Sequence, residues 1–537
     1  MFVEKDLSRR GPAILAILFI FLTFPNLWLP ELTPLEARNT MVAREMIASG
    51  NLLLTRFQGE PMVVPPLAPW LLSLTERAAV LGEVGTRLVA VIPLALLSIL
   101  SGWVSYRSAG RRPALVTAAA VMSSGVALRL GTIGETDLLF ALLINGAWLV
   151  WYALSREKKR WLYAWSASHL IICLAILTAG AKALFFFYFP LVLLRRPLAI
   201  RRRLAQADHI VSFLLMTALI VLWIFMVPNL LEGVMEFFRV FTPRAAAHGY
   251  VERFLLFPMK TVLGYFPWVF LVWPAFCIAY RPLEKDPVLC RYLRTIVITF
   301  FLFFWLIPGG QARMLTPLVG PLSILLGMNY EILVRRHGAQ LMILAKAIGW
   351  LNIVGLTLSA ILVILCVVGV FEFQFTFTVT AISLVFASIS LIVTVFLLLT
   401  REPWPIWLVV LIAVMVLNLS YVSVAGVYAF ERQSGARRLA AEFASRIATA
   451  GIVYLDSDEV SAEVCYYLRQ PVVRLSRDNA VATGDPRVAD QLPIYEKEVY
   501  VIGRERSPRS RNREWEPVGE AVVHNVGTFQ IWRGTRR

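Results

Sequence analysis

Long apolar runs separated by short basic segments dominate this chain. A helix needs about 20 apolar residues to cross the hydrocarbon core of a bilayer, and many of the runs approach that length. The first run follows Arg9 and Arg10 and lacks a small-residue cleavage site, so we interpret it as a retained span rather than a signal peptide. The pattern predicts about thirteen spans. They are placed at 12–30, 86–106, 113–131, 138–155, 161–179, 181–194, 209–229, 260–280, 293–308, 314–334, 341–370, 376–400 and 404–428.

The basic clusters between the runs predict the orientation of the chain. They fall at alternate ends of the spans, on the same side as the N-terminus, and the positive-inside rule assigns that side to the cytoplasm. An odd number of spans then places the C-terminal region outside. We therefore expect a multi-pass protein of the bacterial inner (plasma) membrane. The clusters are Arg107/Arg111/Arg112, Arg156/Lys158/Lys159/Arg160, Arg195/Arg196/Arg201/Arg202/Arg203, Arg281/Lys285/Arg291/Arg294 and Arg335/Arg336.

Two long outer loops and a C-terminal region interrupt the membrane pattern. Loops as long as 31–85 and 230–259 are usually functional in a compact bundle. We predict a mostly α-helical integral membrane module over residues 1–430, with juxtamembrane helices outside, followed by a small periplasmic α/β domain over residues 431–537. The predicted helices of this domain are Gln433–Ala448 and Ala462–Leu468, and its predicted strands are Ile452–Leu455, Val472–Leu475, Val499–Ile502 and Phe529–Trp532.

Composition supports a membrane protein and argues against two other classes. Hydrophobic residues make up 58% of the 537 residues, above the roughly 45–50% of soluble domains, and the mean hydropathy is +0.68. The net charge of +17 is divided into short clusters between apolar runs, a distribution that is unlike a nucleic-acid-binding surface. No CxxC pair occurs among the five cysteines, so neither a disulfide framework nor a zinc site is expected.

Glu36, in the first outer loop, is the first candidate carboxylate. One interpretation makes it a catalytic group that orients an acceptor at the membrane surface, where an unpartnered charge is costly. The other makes it part of a helix start, because Thr33-Pro34-Leu35-Glu36 has the spacing of a capping box, with proline at the first helical position. The spacing favours the second interpretation but leaves both open.

Asp137 is the second candidate carboxylate. It lies in the segment Gly131 to Leu139, which is predicted to form the short outer turn between two spans. A carboxylate at the start of a membrane helix is often only an N-cap. A catalytic role and a capping role therefore both remain open for Asp137.

Basic residues on the predicted outer side are the candidate phosphate ligands. Arginine binds phosphate through paired, charge-assisted hydrogen bonds, whereas snorkelling of long side chains to the interface is the alternative. Long loops are exempt from the positive-inside rule, but Arg87, Lys182 and Arg313 lie at or within span ends and are harder to explain in this way. The full candidate set is Arg38, Arg56, Arg87, Lys182, Arg239, Arg244, His248 and Arg313.

Several short motifs occur in a fixed order along the chain. They are Leu35-Glu36-Ala37-Arg38, Ala43-Arg44-Glu45-Met46, Gln58-Gly59-Glu60-Pro61, Met62-Val63-Val64-Pro65-Pro66-Leu67, Arg87-Leu88, Thr136-Asp137-Leu138-Leu139, Gly264-Tyr265-Phe266-Pro267-Trp268 and Arg313-Met314-Leu315-Thr316-Pro317. In this order they resemble the bacterial GT-C glycosyltransferases of the protein O-mannosyltransferase and 4-amino-4-deoxy-L-arabinose lipid A transferase family. The resemblance extends over essentially the whole chain.

The resemblance implies a GT-C fold and a transferase activity. Such enzymes move a sugar from a polyprenyl-phosphate carrier to a lipid or protein acceptor at the outer face of the membrane, with inversion at the anomeric carbon. A carboxylate would deprotonate or orient the acceptor, and basic residues would hold the departing lipid phosphate. The acids at matching positions are Glu36 and Asp137.

Three positions depart from the family pattern. The family's D-E pair becomes Leu35-Glu36, its F-E-K-P segment loses both the acid and the lysine at Val63-Val64-Pro65, and its T-K-G-P lysine is displaced to Lys182. The missing acid is associated in the family with a divalent metal. The sequence therefore leaves a metal open but argues against it, and we assign no metal ligands and no other cofactor.

Two functions follow from these observations. In the first, the chain is an active transferase in which Glu36 or Asp137 is the base. In the second, it is a non-catalytic relative or partner subunit that binds the carrier lipid in a cell-envelope glycosylation complex. A secondary transporter is disfavoured, since the chain lacks paired Gly/Pro-broken spans in two corresponding halves.

Overall fold

The computed structural model of the chain is predominantly helical. It divides into two compact units, of which the first comprises Met1–Leu27 with Arg87–Ala425 and the second Trp28–Thr86 with Gly426–Arg537. The predicted first outer loop therefore belongs to the same unit as the C-terminal residues. The structure describes residues 2–28, 30–53, 55–62, 64–77, 82–157, 160–194, 200–226, 250–367, 388, 405–420, 436–447, 453–455, 462–468, 470, 472–474, 498–504, 513–523 and 527–536.

The described helices are numbered here in chain order. They are α1 (Phe2–Trp28), α2 (Pro34–Ser49), α3 (Leu67–Arg77), α4 (Gly82–Ala109), α5 (Arg111–Ser123), α6 (Gly125–Gly131), α7 (Asp137–Glu157), α8 (Trp161–Ala179), α9 (Lys182–Leu193), α10 (Ile200–Leu204), α11 (Ala207–Met226), α12 (Tyr250–Gly264), α13 (Val269–Val272), α14 (Pro287–Leu306), α15 (Val319–Val367), α16 (Ile406–Ser420), α17 (Ala436–Ile447) and α18 (Ala462–Leu468). Three 3-10 segments, Trp273–Phe276, Ile278–Leu283 and Ala312–Leu318, lie between the later helices of the first unit.

Within these residues, six helices are long and apolar enough to cross a membrane, or up to eight if each of two bent pairs is counted as one span. Three further apolar helices are shorter. The helices bear out the membrane character predicted from the apolar runs. The count of about thirteen spans remains a prediction, because the predicted span 376–400 falls outside the described residues except for residue 388.

The chain bends at two places that the apolar pattern does not mark, and at a third where the sequence predicts a boundary between spans. The predicted span 113–131 consists of α5 and α6, which meet at 59° because Ser124 is extended (φ −67°, ψ 139°). The predicted span 260–280 is also bent: α12 begins earlier, inside the predicted outer loop, and the chain turns by 90° between α12 and the helical segment that starts at Val269. Here Phe266 precedes a proline, which disfavours helical backbone. The third bend lies between the predicted spans 314–334 and 341–370, at His337, whose backbone is not helical (φ −126°, ψ 23°), so α15 consists of two helices that meet at a kink.

Glycines on α15 allow close helix packing inside the first unit. A Cβ at Gly320 would overlap the amide of Asn145 on α7, and a Cβ at Gly327 would overlap Thr117 and approach the backbone oxygen of Pro113 on α5 to 2.5 Å. Small residues at such positions let membrane helices approach closely, since lipid provides no hydrophobic force between them. The interior beside these contacts is aromatic, with Phe186 stacked on Phe300 at 4.6 Å between ring centroids.

The second unit joins the first outer loop to an α/β domain. Its sheet has the strand order β4-β3-β5-β7-β6, in which β3 pairs parallel with β4 and β5, while β7 pairs antiparallel with β5 and β6. Two two-residue strands, β1 and β2, form a separate antiparallel pair. The predicted helices and strands are all present in the described residues, whereas β1, β2 and β6 were not predicted. The strands are β1 (Arg56–Phe57), β2 (Glu60–Pro61), β3 (Val453–Leu455), β4 (Val472–Arg474), β5 (Glu498–Arg504), β6 (Arg513–Val523) and β7 (Gly527–Arg536).

Polar contacts attach the loop to this domain. Glu31 accepts hydrogen bonds from the backbone N–H groups of Ala436 and Arg437, both at 3.1 Å, and so caps the start of α17. Arg44 forms an ion pair with Glu76 at 2.7 Å and donates to the backbone oxygen of Tyr466 at 3.1 Å. Residues far apart in sequence therefore form one unit.

Replacing Gly327 with alanine is expected to destabilise the first unit. The added Cβ has to displace backbone of α5, and overpacking of this kind costs about 1–3 kcal/mol. Thermal unfolding of the detergent-purified protein tests this. Gly355→Ala, on the same helix with nothing within 4 Å of the added Cβ, is the matched control. Equal unfolding temperatures for the two variants would contradict the close packing of α15 on α5.

Candidate functional site

An ion cluster lies at the start of α7. Arg313 Nε donates to Asp137 Oδ2 at 2.9 Å, and Arg313 Nη2 contacts both Asp137 Oδ2 and Glu135 Oε2. Glu135 is buried, with 8% of its surface exposed, whereas the Arg313 side chain is 44% exposed. One guanidinium thus bridges two carboxylates at the edge of the first unit.

Local backbone structure fixes both sides of this bridge. On the acid side, Glu135 N donates to the oxygen of Ile133 at 2.7 Å in the turn before α7. On the arginine side, the 3-10 segment Ala312–Leu318 is attached to α7, because Asn145 Nδ2 donates to the backbone oxygen of Pro317 at 2.8 Å. Thr316 Oγ1 also donates to the oxygen of Arg313 at 2.6 Å. The charged groups are therefore held by rigid elements rather than by long loops.

Lys182 adds a second cation to the cluster. It is the first residue of α9 and follows Gly180, whose φ of +74° makes the sharp turn from α8. Its Nζ lies 4.8 Å from the centroid of the Phe140 ring, a cation–π contact. The charges of Asp137 and Arg313 both act on the Lys182 ammonium group. We refer to Glu135, Asp137, Lys182 and Arg313 as the ion cluster.

The ion cluster can act on a phosphorylated substrate. Within the described residues, the hydrogen bonds of Arg313 to the acids use Nε and Nη2, so Nη1 faces no acid partner. Guanidinium and ammonium groups together stabilise the charge of a departing phosphate. A carboxylate held beside them is in a position to accept a proton from an incoming hydroxyl. The cluster thus combines the two chemical requirements of glycosyl transfer from a lipid phosphate.

The structure brings together three of the sequence-predicted residues and adds one. Asp137 and Arg313 are in contact, and the charges of both act on Lys182. Glu135 was not selected from the sequence. The sequence did contain a signal for Glu135, because it is an acid two residues before Asp137 in the segment Gly134-Glu135-Thr136-Asp137.

Glu36 lies in the second unit and forms the predicted capping box. Its Oε2 accepts from the backbone N–H of Thr33 at 2.7 Å, while Glu36 N donates to Thr33 Oγ1 at 3.3 Å. The residue has 0% of its surface exposed. The capping interpretation is therefore confirmed, and a buried capping carboxylate is poorly suited to act as a base.

The remaining predicted cations have different environments. Within the described residues, the buried Nε of Arg38 has no hydrogen-bond partner, which suits a residue that binds a ligand. Arg56 is exposed on β1. Arg87 is 2% exposed, and its Nη1 donates to the backbone oxygens of Asn26 at 3.1 Å and Leu27 at 2.9 Å, the last carbonyls of α1. Arg239, Arg244 and His248 lie outside the described residues.

A divalent metal of the kind associated with the family does not fit the described residues. At the matching segment, Met62 and Val64 offer no oxygen or nitrogen side-chain ligand. The described part of the chain holds no group of three or more His, Cys, Asp and Glu side chains placed to bind a metal ion. We derive no catalytic step through a metal.

Comparison with known proteins identifies the fold. No protein-family model matches the chain. An undecaprenyl phosphate-alpha-4-amino-4-deoxy-L-arabinose arabinosyl transferase of Edwardsiella ictaluri (strain 93-146) is 29% identical over 155 residues, a match that spans 27% of this chain and 27% of that protein. The crystal structure of ArnT from Cupriavidus metallidurans in the apo state has a TM-score of 0.70 at 18% identity, covering 99% of this chain and 98% of that one. The chain has the ArnT fold.

The structure of the same Cupriavidus metallidurans ArnT bound to undecaprenyl phosphate has a TM-score of 0.68 at 18% identity and covers 98% of both chains. The ArnT fold therefore accounts for both units of this chain. At this identity the match establishes the fold, so the function has to be argued from the residues of the ion cluster.

Replacing Arg87 with methionine is expected to destabilise the ArnT fold of this chain rather than to remove a substrate contact. The last carbonyls of α1 would lose a charged donor, and such hydrogen bonds contribute about 1.5–3 kcal/mol. Thermal unfolding in detergent measures the loss. Arg129→Met, at an exposed arginine on α6, is the matched control. A variant at Arg87 that keeps the wild-type unfolding temperature but loses carrier-lipid binding would contradict the capping role.

Proposed function

We propose that this protein is a membrane glycosyltransferase that moves a sugar from a polyprenyl-phosphate carrier to a lipid or protein acceptor. The observation that carries the proposal is the ion cluster, in which one guanidinium bridges two acids beside a lysine. The shared fold adds support, because an ArnT of this fold has been crystallised with undecaprenyl phosphate. The basic clusters favour a cytoplasmic N-terminus and a reaction on the periplasmic side of the inner membrane.

Asp137 is the base in the proposed reaction. Its carboxylate takes the proton from the acceptor hydroxyl while the acceptor oxygen forms a bond to the anomeric carbon. The bond between that carbon and the phosphate oxygen breaks, and its electron pair leaves with the polyprenyl phosphate. Attack from the face opposite the leaving group inverts the anomeric configuration. Proximity and a positioned base supply most of the acceleration, since the phosphate is already a good leaving group.

Arg313 and Lys182 hold the leaving phosphate in this proposal. Arg313 pairs with Asp137, and the charge of Asp137 also acts on Lys182. Arg313 keeps Nη1 for an added anion while Glu135 holds the guanidinium in place. Charge stabilisation by fixed donors is usually the largest single contribution to catalysis. Arg38, in the second unit, is proposed separately as a ligand-binding residue, because its Nε is buried without a hydrogen-bond partner in the described part of the chain.

Replacing Asp137 with asparagine is expected to abolish sugar transfer while leaving carrier binding in place. Loss of a general base typically costs about 10²–10⁴-fold in rate. Transfer from a polyprenyl-phosphate-linked sugar is measured with purified protein in lipid, and polyprenyl phosphate that co-purifies is quantified by mass spectrometry. Asp286→Asn is the matched control, because Asp286 also pairs with an arginine, Arg156, at 2.6 Å.

The two readouts separate the candidate functions. Carrier lipid retained by the wild type, with transfer lost only in Asp137→Asn, supports the enzyme. Carrier lipid retained without transfer by the wild type would favour a non-catalytic carrier-binding relative. Unchanged turnover in a well-expressed Asp137→Asn protein would refute the role of Asp137 as the base.

Replacing Arg313 with alanine is expected to weaken binding of the carrier lipid more than binding of the acceptor. The variant removes the phosphate ligand and one of the two cations that oppose Glu135 and Asp137, so affinity for an anion should fall by at least about tenfold, or ~1.4 kcal/mol. Titration with polyprenyl phosphate and with acceptor measures the two affinities. Arg129→Ala is the matched exposed control. An equal loss of both affinities would indicate a folding defect instead.

A further inference from the structure

A long apolar groove lies on the first unit, between α1, α4 and α5. Its volume is about 750 Å³. Small residues form it, because side chains as short as those of Ala16, Ala95, Gly102, Ala114 and Ala118 leave space between the three helices. A Cβ at Gly102 would already lie 3.3 Å from the backbone oxygen of Ala114, so α4 and α5 approach closely at the base of the groove.

One end of the groove is basic and aromatic. Tyr106 and Arg111 line this end, together with Trp103, and both aromatic side chains are more than half exposed. Arg107 lies beside them, with its guanidinium carbon 6.0 Å from the centroid of the Trp103 ring. Tryptophan, tyrosine and arginine in this combination are typical of the level of lipid headgroups. The remaining lining is apolar except for the hydroxyl of Ser98.

The length of the groove matches one leaflet of a bilayer. From Arg111 to Met122, helix α5 rises about 16 Å at ~1.5 Å per residue. The hydrocarbon core of a bilayer is about 30 Å thick, so one leaflet contributes roughly half of that. The groove is therefore long enough to reach from the headgroup level at Arg111 to near the middle of the membrane.

The basic end of the groove is remote from the ion cluster. Helix α5 runs away from Arg111, and α6 and the turn before Asp137 follow at its other end. The packing of α6 agrees with this direction. Gly131, the last residue of α6, packs so closely on Leu94 that an added Cβ would overlap it, and Leu94 precedes the groove residue Ala95. The phosphate ligands of the proposed transferase thus lie toward the apolar end of the groove, not at its basic end.

We propose that the groove binds one acyl chain of an anionic glycerophospholipid, with the lipid phosphate at Arg111. Three arginines at one end, Arg107, Arg111 and Arg112, favour an anionic headgroup over a zwitterionic one. The one-leaflet length suits an acyl chain that begins at the headgroup level. Basic pockets between membrane helices on the cytoplasmic side bind anionic lipids in this way, and the positive-inside rule assigns the Arg111 end to that side. The lipid fills the space between α1 and the α4–α5 pair.

Lipid retention by the full-length protein tests this proposal without any turnover. The protein is reconstituted in nanodiscs of phosphatidylglycerol and phosphatidylethanolamine, extracted in mild detergent, and analysed for retained lipid by native mass spectrometry. We expect the wild type to retain phosphatidylglycerol in preference to phosphatidylethanolamine. Ala16→Phe fills the groove and should abolish retention. Ala13→Phe, at an exposed alanine of α1 outside the groove lining, is the matched control and should behave like the wild type.

A second variant tests the headgroup contact without changing the helix packing. Arg111→Gln should lower the preference for phosphatidylglycerol by about fivefold, the effect of one arginine near an anionic headgroup. Arg335→Gln, at an exposed arginine on α15, is its control. Equal retention by Ala16→Phe and Ala13→Phe, or an unchanged preference in Arg111→Gln, would overturn the proposal. Retention of polyprenyl phosphate in the groove, lost in Ala16→Phe, would also overturn it by assigning the groove to the carrier.

Discussion

The bridge from Arg313 to Glu135 and Asp137 is the interaction on which the proposed chemistry depends. An isolated carboxylate at the edge of an apolar bundle is costly, and removing one partner of a buried pair leaves an uncompensated charge. With Lys182, the ion cluster has two acids and two cations, so it is neutral when no substrate is bound. Because it is neutral, the cluster can remain at the edge of the membrane module without a bound counter-ion.

Neutrality also explains how such a site could hold and release a phosphate. An incoming lipid phosphate brings negative charge to a place where Arg313 and Lys182 already face Asp137. When the acceptor hydroxyl transfers its proton, Asp137 becomes neutral, and the two cations are then opposed chiefly by Glu135 and the departing phosphate. Proton transfer therefore strengthens the hold on the leaving group at the moment when its charge develops. If no acids opposed its cations, the site would bind the phosphate more tightly before the reaction. Its interaction with the phosphate would then strengthen less in the transition state.

The sequence predicted the helical membrane module and the elements of the α/β domain, because long apolar runs and short strand patterns are local signals. It did not predict the bends at Ser124 and before Pro267, since an apolar run looks the same whether its helix is straight or broken. The roles of Glu36 and Arg87 depend on neighbours. A capping box and a catalytic acid can have the same spacing, and the hydrogen bonds with Thr33 together with the burial of Glu36 separate them. The carbonyls that Arg87 binds belong to residues about 60 positions away in sequence, a distance that no local pattern can bridge.

The two ends of the first unit treat anions in opposite ways. At one end the guanidinium of the ion cluster is held by two acids, whereas the groove at the other end is lined by Arg111 with Trp103 and Tyr106, and Arg107 lies over the Trp103 ring. A catalytic site must let its phosphate leave after each turnover, so acids that compete for the arginine are an advantage there. A structural lipid gains nothing from leaving, so basic residues at the headgroup level can hold it without that requirement. The two acids that hold Arg313 therefore fit a phosphate that has to be released, and the apolar groove fits a lipid that has only to be held.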